Sequence, residues 1–157
     1  MDREVVMSCY QRHGIPCGPV AYMELASLPT TPFWARHQTR AVLQAWLMPP
    51  ETIETAELLV SELVTNATKF SAETPAPVQY LDLEKVERIS LALRLLRDRL
   101  VIEVTDSDMN PPVLTDAGPD AEGGRGLMLV DALSKEWSFF CPPTGGKTVY
   151  CVISTDT

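Results

Sequence analysis

Three polar residues in the segment ELVTNATK have the types and the spacing that phosphate chemistry requires. Glu62 and Asn66 are four residues apart, and Lys69 follows three residues later. On an α-helix these intervals place the three side chains on one face. An amide oxygen can ligate Mg²⁺, a carboxylate can orient or deprotonate an attacking hydroxyl, and an ammonium group can neutralise phosphate charge. Taken alone, however, the same stripe is typical of a solvated helix face.

A second candidate for phosphate binding is the glycine cluster in AEGGRGLMLV, residues 121–130. Glycine loses more backbone freedom on folding than any other residue, so a cluster of glycines before a helix-like run indicates that the backbone approaches something closely. The N-terminus of a helix carries unpaired N–H groups and a partial positive charge, which favour an anion. Gly124 and Gly126, on either side of Arg125, therefore predict a phosphate site at a helix start.

Two further residues could recognise a nucleotide base. Asp106 stands at the end of a strand pattern, and its carboxylate could accept a hydrogen bond from the exocyclic amine of adenine. The alternative interpretation of Asp106 is a turn-forming aspartate. Thr148 lies two residues after Gly146, in the last strand-like segment of the chain.

Two common phosphate-binding motifs do not fit this sequence. GGKT at 145–148 ends like a Walker loop, but its first glycine position is Cys141, and the strand pattern VYCVIS follows where the loop requires a helix. GRGLML begins like a dinucleotide-binding fingerprint, but its third glycine position is Leu129, and no clear strand precedes it.

The hydrophobic pattern predicts the elements that must position these residues. We expect a strand at 21–28, helices at 33–48, 52–70 and 127–137, and hairpins at 89–108 and 137–154. This order predicts an α+β fold in which helices cover one face of a mixed or antiparallel sheet. Residues 1–20 are predicted to be an N-terminal extension and residues 21–157 a single domain, in which residues 79–88 form a connection or an extra half-turn.

The first two predicted helices carry apolar residues at helical intervals, which we expect to face the core. In the helix at 52–70 these residues are Ile53, Ala56, Val60, Leu63, Ala67 and Phe70. In the helix at 33–48 they are Phe33, Ala41, Ala45 and Met48, together with Trp34, Val42 and Trp46.

The composition narrows the class of protein. The chain has 157 residues and a formal net charge of −8, which argues against a nucleic-acid partner because such proteins present basic patches. No apolar run is long enough for a transmembrane helix, and the first residues lack the apolar core of a signal peptide, so we expect a cytoplasmic protein without a membrane partner. The four cysteines lack zinc-site spacing and are predicted to be reduced.

Together, ELLVSELVTNA, GGRGLMLVDAL and GGKTVY come in the order and spacing of the GHKL (Bergerat-fold) ATPases. Within that group the chain most resembles the small bacterial anti-sigma regulatory factors, which are similar to serine kinases, and the resemblance runs from about residue 22 to 153. It implies a two-layer α/β sandwich with an ATP lid at 107–123, and ATP and Mg²⁺ as cofactors. The implied partners are a sigma factor, an antagonist of the anti-sigma factor, or both, and a homodimer stays open.

The resemblance also implies a role for each site residue. Asn66 would hold Mg²⁺ against the phosphates, and Glu62 would be the general base. Asp106 would bind the adenine amine, with Thr148 helping through water, while the glycines would let backbone N–H groups approach the phosphates. The residues expected to bind the nucleotide are Asn66, Lys69, Asp106, Gly124, Arg125, Gly126, Leu127 and Thr148.

The chain departs from this family at the D-x-G-x-G box, which is DSDMN here. Asp108 and Asn110 replace the two glycines, and Asp108 could repel phosphates if it points inward. Two hypotheses of different class therefore stay open. Glu62 favours an ATP–Mg²⁺-dependent protein serine/threonine kinase, whereas the altered box and the acidic lid favour a nucleotide-gated binding module without phosphotransfer.

Overall fold

The computed structural model of the chain describes residues 18–71, 86–112 and 125–156. These residues form five strands and three helices, at positions close to those that the hydrophobic pattern predicts. The elements are β1 (Val20–Ala26), α1 (Thr31–Ala45), α2 (Pro50–Ser71), β2 (Arg88–Leu95), β3 (Arg99–Asp106), α3 (Arg125–Leu133), β4 (Glu136–Phe140) and β5 (Lys147–Ser154).

The five strands form one sheet in the order β1-β2-β3-β5-β4, and every neighbouring pair is antiparallel. Successive residues of a strand point to opposite faces. The face that carries Leu91, Ile102 and Cys151 packs against the helices, and these three side chains are fully buried. The predicted α+β, two-layer architecture with helices on one face is confirmed.

Helix α2 is the part of the helical layer that the sequence predicts best. Pro50 and Glu51 occupy its first turn, where a missing N–H is tolerated and a negative charge is favourable. Five of the six predicted core residues are buried, namely Ile53, Ala56, Val60, Leu63 and Ala67, and the side chain of Phe70 lies outside the described part of the chain. The opposite side of α2 is left for polar residues.

Four of the seven residues predicted to form the core face of α1 are exposed, namely Phe33, Trp34, Ala41 and Ala45. Phe33 and Trp34 are 45% and 56% exposed, whereas the buried positions are Thr31, Ala35, Thr39 and Leu43. Helix α1 packs mainly against α2, and small side chains permit a close approach of two helices. The two aromatic rings instead pack edge to face against each other at 5.4 Å on the outer side. Val42, Trp46 and Met48 do pack against the core as predicted.

Several predictions concern residues outside the described part of the chain. They include most of the N-terminal extension at 1–20, most of the connection at 79–88, and residues 113–123 of the predicted lid. None of the described helices has the length and apolar character needed to cross a membrane. Of the four cysteines, Cys141 and Cys151 are described and free, and burial raises the pKa of Cys151 to about 12.

Candidate functional site

The polar side of α2 meets the start of α3. Glu62 and Asn66 are half-buried on α2, and both face Gly126 in the first turn of α3. A β-carbon built on Gly126 would lie 2.6 Å from Glu62 Oε2 and 3.4 Å from Asn66 Nδ2. Only glycine therefore fits here without displacing the Glu62 carboxylate. The structure brings together these three residues, which the sequence predicts to share a site.

Helix α3 is held in this position by its apolar side. Leu127 and Val130 are buried, and α3 packs chiefly on α2. The first N–H groups of a helix have no partner within it, so the start of α3 presents donors beside a carboxylate and an amide. We call this group, made up of Glu62, Asn66 and the backbone at Gly126, the phosphate side of the site. It combines a candidate anion site at a helix start, a candidate metal ligand and a candidate base.

Asp106 lies at the other candidate position, where β3 ends. By strand alternation its side chain is on the helix-facing side of the sheet, as are Ile102 and Val104. Its Oδ1 accepts a hydrogen bond from Lys147 Nζ at 2.9 Å, and the two side chains are each only 3% exposed. Burial raises the pKa of the Asp106 carboxyl, and the Lys147 ammonium opposes that effect. The Asp106 carboxylate, which was expected to accept a hydrogen bond from the adenine amine, therefore already has a cationic partner.

The glycine-free DSDMN segment forms an ordered turn around this ion pair. The backbone N–H of Asp108 donates to Asp106 Oδ1 at 2.9 Å, which is the contact of a turn-forming aspartate. Asn110 donates its backbone N–H at 3.0 Å and its side-chain amide at 2.7 Å to Asp108 Oδ1. The hydrogen bond from the backbone of Asn110 contributes most to lowering the pKa of Asp108, and that from the Asn110 side chain adds to the effect. Asp108 Oδ2 lies 3.5 Å from Lys147 Nζ, so the charge that could repel phosphates faces the lysine.

Together, Asp106, Asp108, Asn110 and Lys147 form what we call the base side of the site. Gly146 fixes its backbone, because φ is +74° and a β-carbon there would lie 1.9 Å from the carbonyl oxygen of Asp106. The sequence analysis missed Lys147, which it met only as part of an unsuitable Walker loop. No sequence signal pointed to Lys147, since only the β3–β5 register makes it the direct partner of Asp106.

Thr148 points to the opposite face of the sheet. Its hydroxyl lies 2.7 Å from that of its register partner Thr105. A cavity of about 490 Å³ opens on this face beside Thr105 and Gly146, with Tyr22 and Ser90 in its wall. The structure does not bring the Thr148 side chain to that of Asp106, and the predicted part of Thr148 in binding adenine through water stays a prediction.

Three other predicted residues cannot be placed in the same detail. Lys69 continues α2 one turn beyond Asn66, but its side chain is not among the described parts of the structure, and neither is that of Arg125. Gly124 lies outside the described residues. Within the described ranges, no group of three or more His, Cys, Asp or Glu side chains could hold a metal ion. An Mg²⁺ ion on Asn66 would therefore take its other ligands from phosphate oxygens and water, which is the usual pattern for this ion.

Comparisons with known proteins identify the family and the fold of the chain. A family model described as the histidine kinase-like ATPase domain matches residues 3–152. The structure of the RsbU and RsbW domains of Rv1364c from Mycobacterium tuberculosis superposes with a TM-score of 0.60 at 20% identity, covering 89% of this chain and 33% of that one. This chain thus spans about one third of the length of the chain in that structure.

The SiaB–SiaC complex of Pseudomonas aeruginosa contains a chain that superposes with a TM-score of 0.54 at 13% identity, with 98% of each chain covered. At these identities the two structures show a shared fold. No protein of curated function matches the sequence. An ATPase domain implies ATP binding, and the family match extends over nearly the whole chain. On that match, the chain belongs to the histidine kinase-like ATPase family, as the resemblance of its motifs implied.

Proposed function

We propose that this protein is an ATP–Mg²⁺-dependent serine/threonine kinase that phosphorylates a protein antagonist and sequesters a sigma factor. The observation that carries the proposal is the contact of Gly126 with Glu62 and Asn66. This contact sets a candidate base and a metal-ligating amide against the donor end of a helix. Transfer of a phosphoryl group depends mainly on positioning and on charge stabilisation, and these groups supply both.

Each residue of the phosphate side has a defined task in this proposal. The amide oxygen of Asn66 would hold Mg²⁺, which neutralises phosphate charge when it is bound. The Glu62 carboxylate would accept the proton of the attacking serine or threonine hydroxyl. Backbone N–H groups from Gly124 to Leu127 would donate to phosphate oxygens, and Lys69 and Arg125 would add positive charge.

The partners in this proposal are proteins. The acidic net charge disfavours nucleic acid, and a fold neighbour of this chain was determined as a complex of two proteins, SiaB and SiaC. A regulator of this kind would use nucleotide occupancy to choose between a sigma factor and its antagonist. The differential affinity of the two nucleotide states for each partner would set the size of the switch.

The first test measures the affinity of the protein for Mg–ATP by calorimetry. Gly126→Val should lower the affinity at least about tenfold, because the branched side chain would crowd the Asn66 amide and block the approach of phosphate to the backbone. Ala132→Val is the matched control, since it makes the same kind of change at an exposed position of α3 and should leave the affinity unchanged. Equal affinity of the Gly126→Val variant and wild type would contradict the proposed phosphate site.

A second candidate function is a nucleotide-gated binding module without phosphotransfer. The buried Asp106–Lys147 pair favours it, because a site with its base side already paired is suited to weak or slow nucleotide use. Partner proteins captured with the chain in Mg–ATP can be incubated with ATP labelled in the γ-phosphate. Label on a serine or threonine that falls at least about 100-fold with Glu62→Ala supports the kinase, because a general base contributes this much. Capture that depends on nucleotide but gives no label supports the module.

A further inference from the structure

We propose that Lys147 sets the base selectivity of the nucleotide site by pairing with Asp106, and that the site therefore accepts ATP and GTP with similar affinity. The inference rests on the proposed nucleotide binding and adds a specificity-determining residue to it. It concerns the base side of the site, whereas the proposed chemistry concerns the phosphate side.

The position of Lys147 is fixed by the sheet. It is the first residue of β5 and the direct register partner of Asp106, the last residue of β3. Both side chains are 3% exposed, with 2.9 Å between Lys147 Nζ and Asp106 Oδ1. The backbone cannot move away easily, because Gly146 lies against the carbonyl group of Asp106. The ammonium group is thus a built part of the base side.

A second acidic group faces the same ammonium. Asp108 Oδ2 is buried without a hydrogen-bond partner and lies 3.5 Å from Lys147 Nζ. The glycine-free turn would otherwise bring two carboxylates together with no opposite charge. Lys147 therefore serves both carboxylates, and a nucleotide base cannot meet Asp106 as a free anion.

The pair changes what the site can recognise. A free carboxylate only accepts hydrogen bonds, so it suits the exocyclic amine of adenine and disfavours the oxygen at the same position of guanine. A carboxylate beside an ammonium presents one acceptor and one donor. Adenine offers an amine donor next to a ring nitrogen acceptor, and guanine offers an oxygen acceptor next to a ring N–H donor. Adenine can bind the pair with its amine on the carboxylate and its ring nitrogen on the ammonium, and guanine with its ring N–H on the carboxylate and its oxygen on the ammonium. The preference for adenine therefore disappears.

The test compares the affinities of wild type for Mg–ATP and Mg–GTP by calorimetry, and then those of two variants. In wild type we expect the two dissociation constants to agree within about 3-fold. Lys147→Met removes the ammonium donor and leaves the carboxylate of Asp106 as an acceptor for the base, so this variant should prefer ATP by about 10-fold or more. Lys147→Arg keeps the charge and the donors and should retain the wild-type ratio. Lys135→Met, at an exposed lysine, is the control for loss of one positive charge.

A merely structural role for Lys147 would alter both affinities equally, so the ratio of the two is the readout that decides. A wild-type preference for ATP of about 10-fold or more would overturn the inference while leaving nucleotide binding intact. An unchanged ratio in a folded Lys147→Met variant would overturn it as well. If Lys147→Met does not fold, the wild-type ratio and that of Lys147→Arg decide. Absence of binding of either nucleotide to wild type at several millimolar would refute the proposed function and, with it, this inference.

Discussion

The phosphate side and the base side of the site differ in how their polar groups are satisfied. On the phosphate side, Glu62 and Asn66 are half-buried and meet Gly126 through the ends of their side chains. On the base side, Asp106 and Lys147 are almost completely buried and bonded to each other. The first arrangement leaves the ends of two side chains available to an incoming ligand, whereas in the second the two charged groups already bond to each other.

This difference shows where the structure tolerates change. Groups that are to act on a ligand must keep donors and acceptors available, and a half-buried position permits this. A buried charge, by contrast, needs a partner, because removing a charge from water is costly. We therefore expect changes on the base side to cost stability as well as recognition, and changes on the phosphate side to affect mainly binding and chemistry. The following predictions separate these two contributions.

The largest expected effect is on stability, from Gly146→Ala. Its β-carbon would lie 1.9 Å from a backbone oxygen, and φ is +74°, so the backbone itself must shift. We expect a loss of about 3 kcal/mol or more in the free energy of unfolding, measured by urea denaturation.

Two further glycines serve as controls for that prediction. Gly145 also has a positive φ, +95°, but a β-carbon there would have no neighbour within 4 Å, so Gly145→Ala should lose only about 1 kcal/mol. At Gly126 the nearest atom is the flexible end of Glu62, so Gly126→Ala should change stability by less than about 1 kcal/mol. Similar losses at all three glycines would remove the distinction between the two sides.

The next effect comes from Lys147→Met, which leaves Asp106 buried without its partner. Breaking a buried ion pair by removing one member typically destabilises by about 3 kcal/mol at neutral pH. Burial raises the pKa of Asp106 above its ordinary value of 3.8, so the folded protein holds that proton more tightly than the unfolded chain does. The contribution of Asp106 to stability is therefore greatest below pH 3.8 and is lost as the pH rises through the raised pKa.

Without Lys147 the pKa of Asp106 should rise further. The stability deficit of Lys147→Met relative to wild type should then be small near pH 4 and grow towards pH 8. Urea midpoints of both proteins across this range measure it. A deficit that is independent of pH would mean that Lys147 stabilises the fold by packing and not through the charge of Asp106.

A smaller effect is expected on the phosphate side, where affinity and chemistry should separate. Asn66→Ala should weaken Mg–ATP binding about 10- to 100-fold while leaving the affinity for ATP without Mg²⁺ almost unchanged, because the amide acts through the ion. Glu62→Ala should keep the Mg–ATP affinity within about threefold, since a base contributes mainly in the transition state. Calorimetry with and without Mg²⁺ measures both. The reverse pattern would mean that the two roles are exchanged.

The smallest effect is expected from Thr148→Val. Its hydroxyl bonds to Thr105 on the face away from the helices, so the variant should lose about 1 kcal/mol of stability. Because the Thr148 side chain lies on the face of the sheet opposite to that of Asp106, we expect no change in ATP affinity. A loss of affinity of about tenfold would support the role of Thr148 at adenine that the family resemblance implies.

Much of this protein was determined by the sequence alone. The period of α2 and the alternation of the strands are local features, and they predicted the order of elements and the α+β fold with helices on one face. The family was expected from the resemblance of the motifs. The pairing of Glu62 with Asn66 follows from helical spacing, which needs no tertiary information. The glycine cluster predicted a close approach of phosphate to the backbone at Gly126, where the structure shows the side chains of Glu62 and Asn66.

Other features were decided only by the tertiary structure. The buried face of α1 depends on how closely it packs against α2, and this favoured Ala35 and Thr39 over the aromatic residues. Adjacent residues of a strand point to opposite faces, so a shift of one position exchanges the residue that faces a site. The β3–β5 register therefore placed Lys147, and not Thr148, beside Asp106. No local pattern contains that information, because β3 and β5 are far apart in the sequence and pair only in the folded sheet.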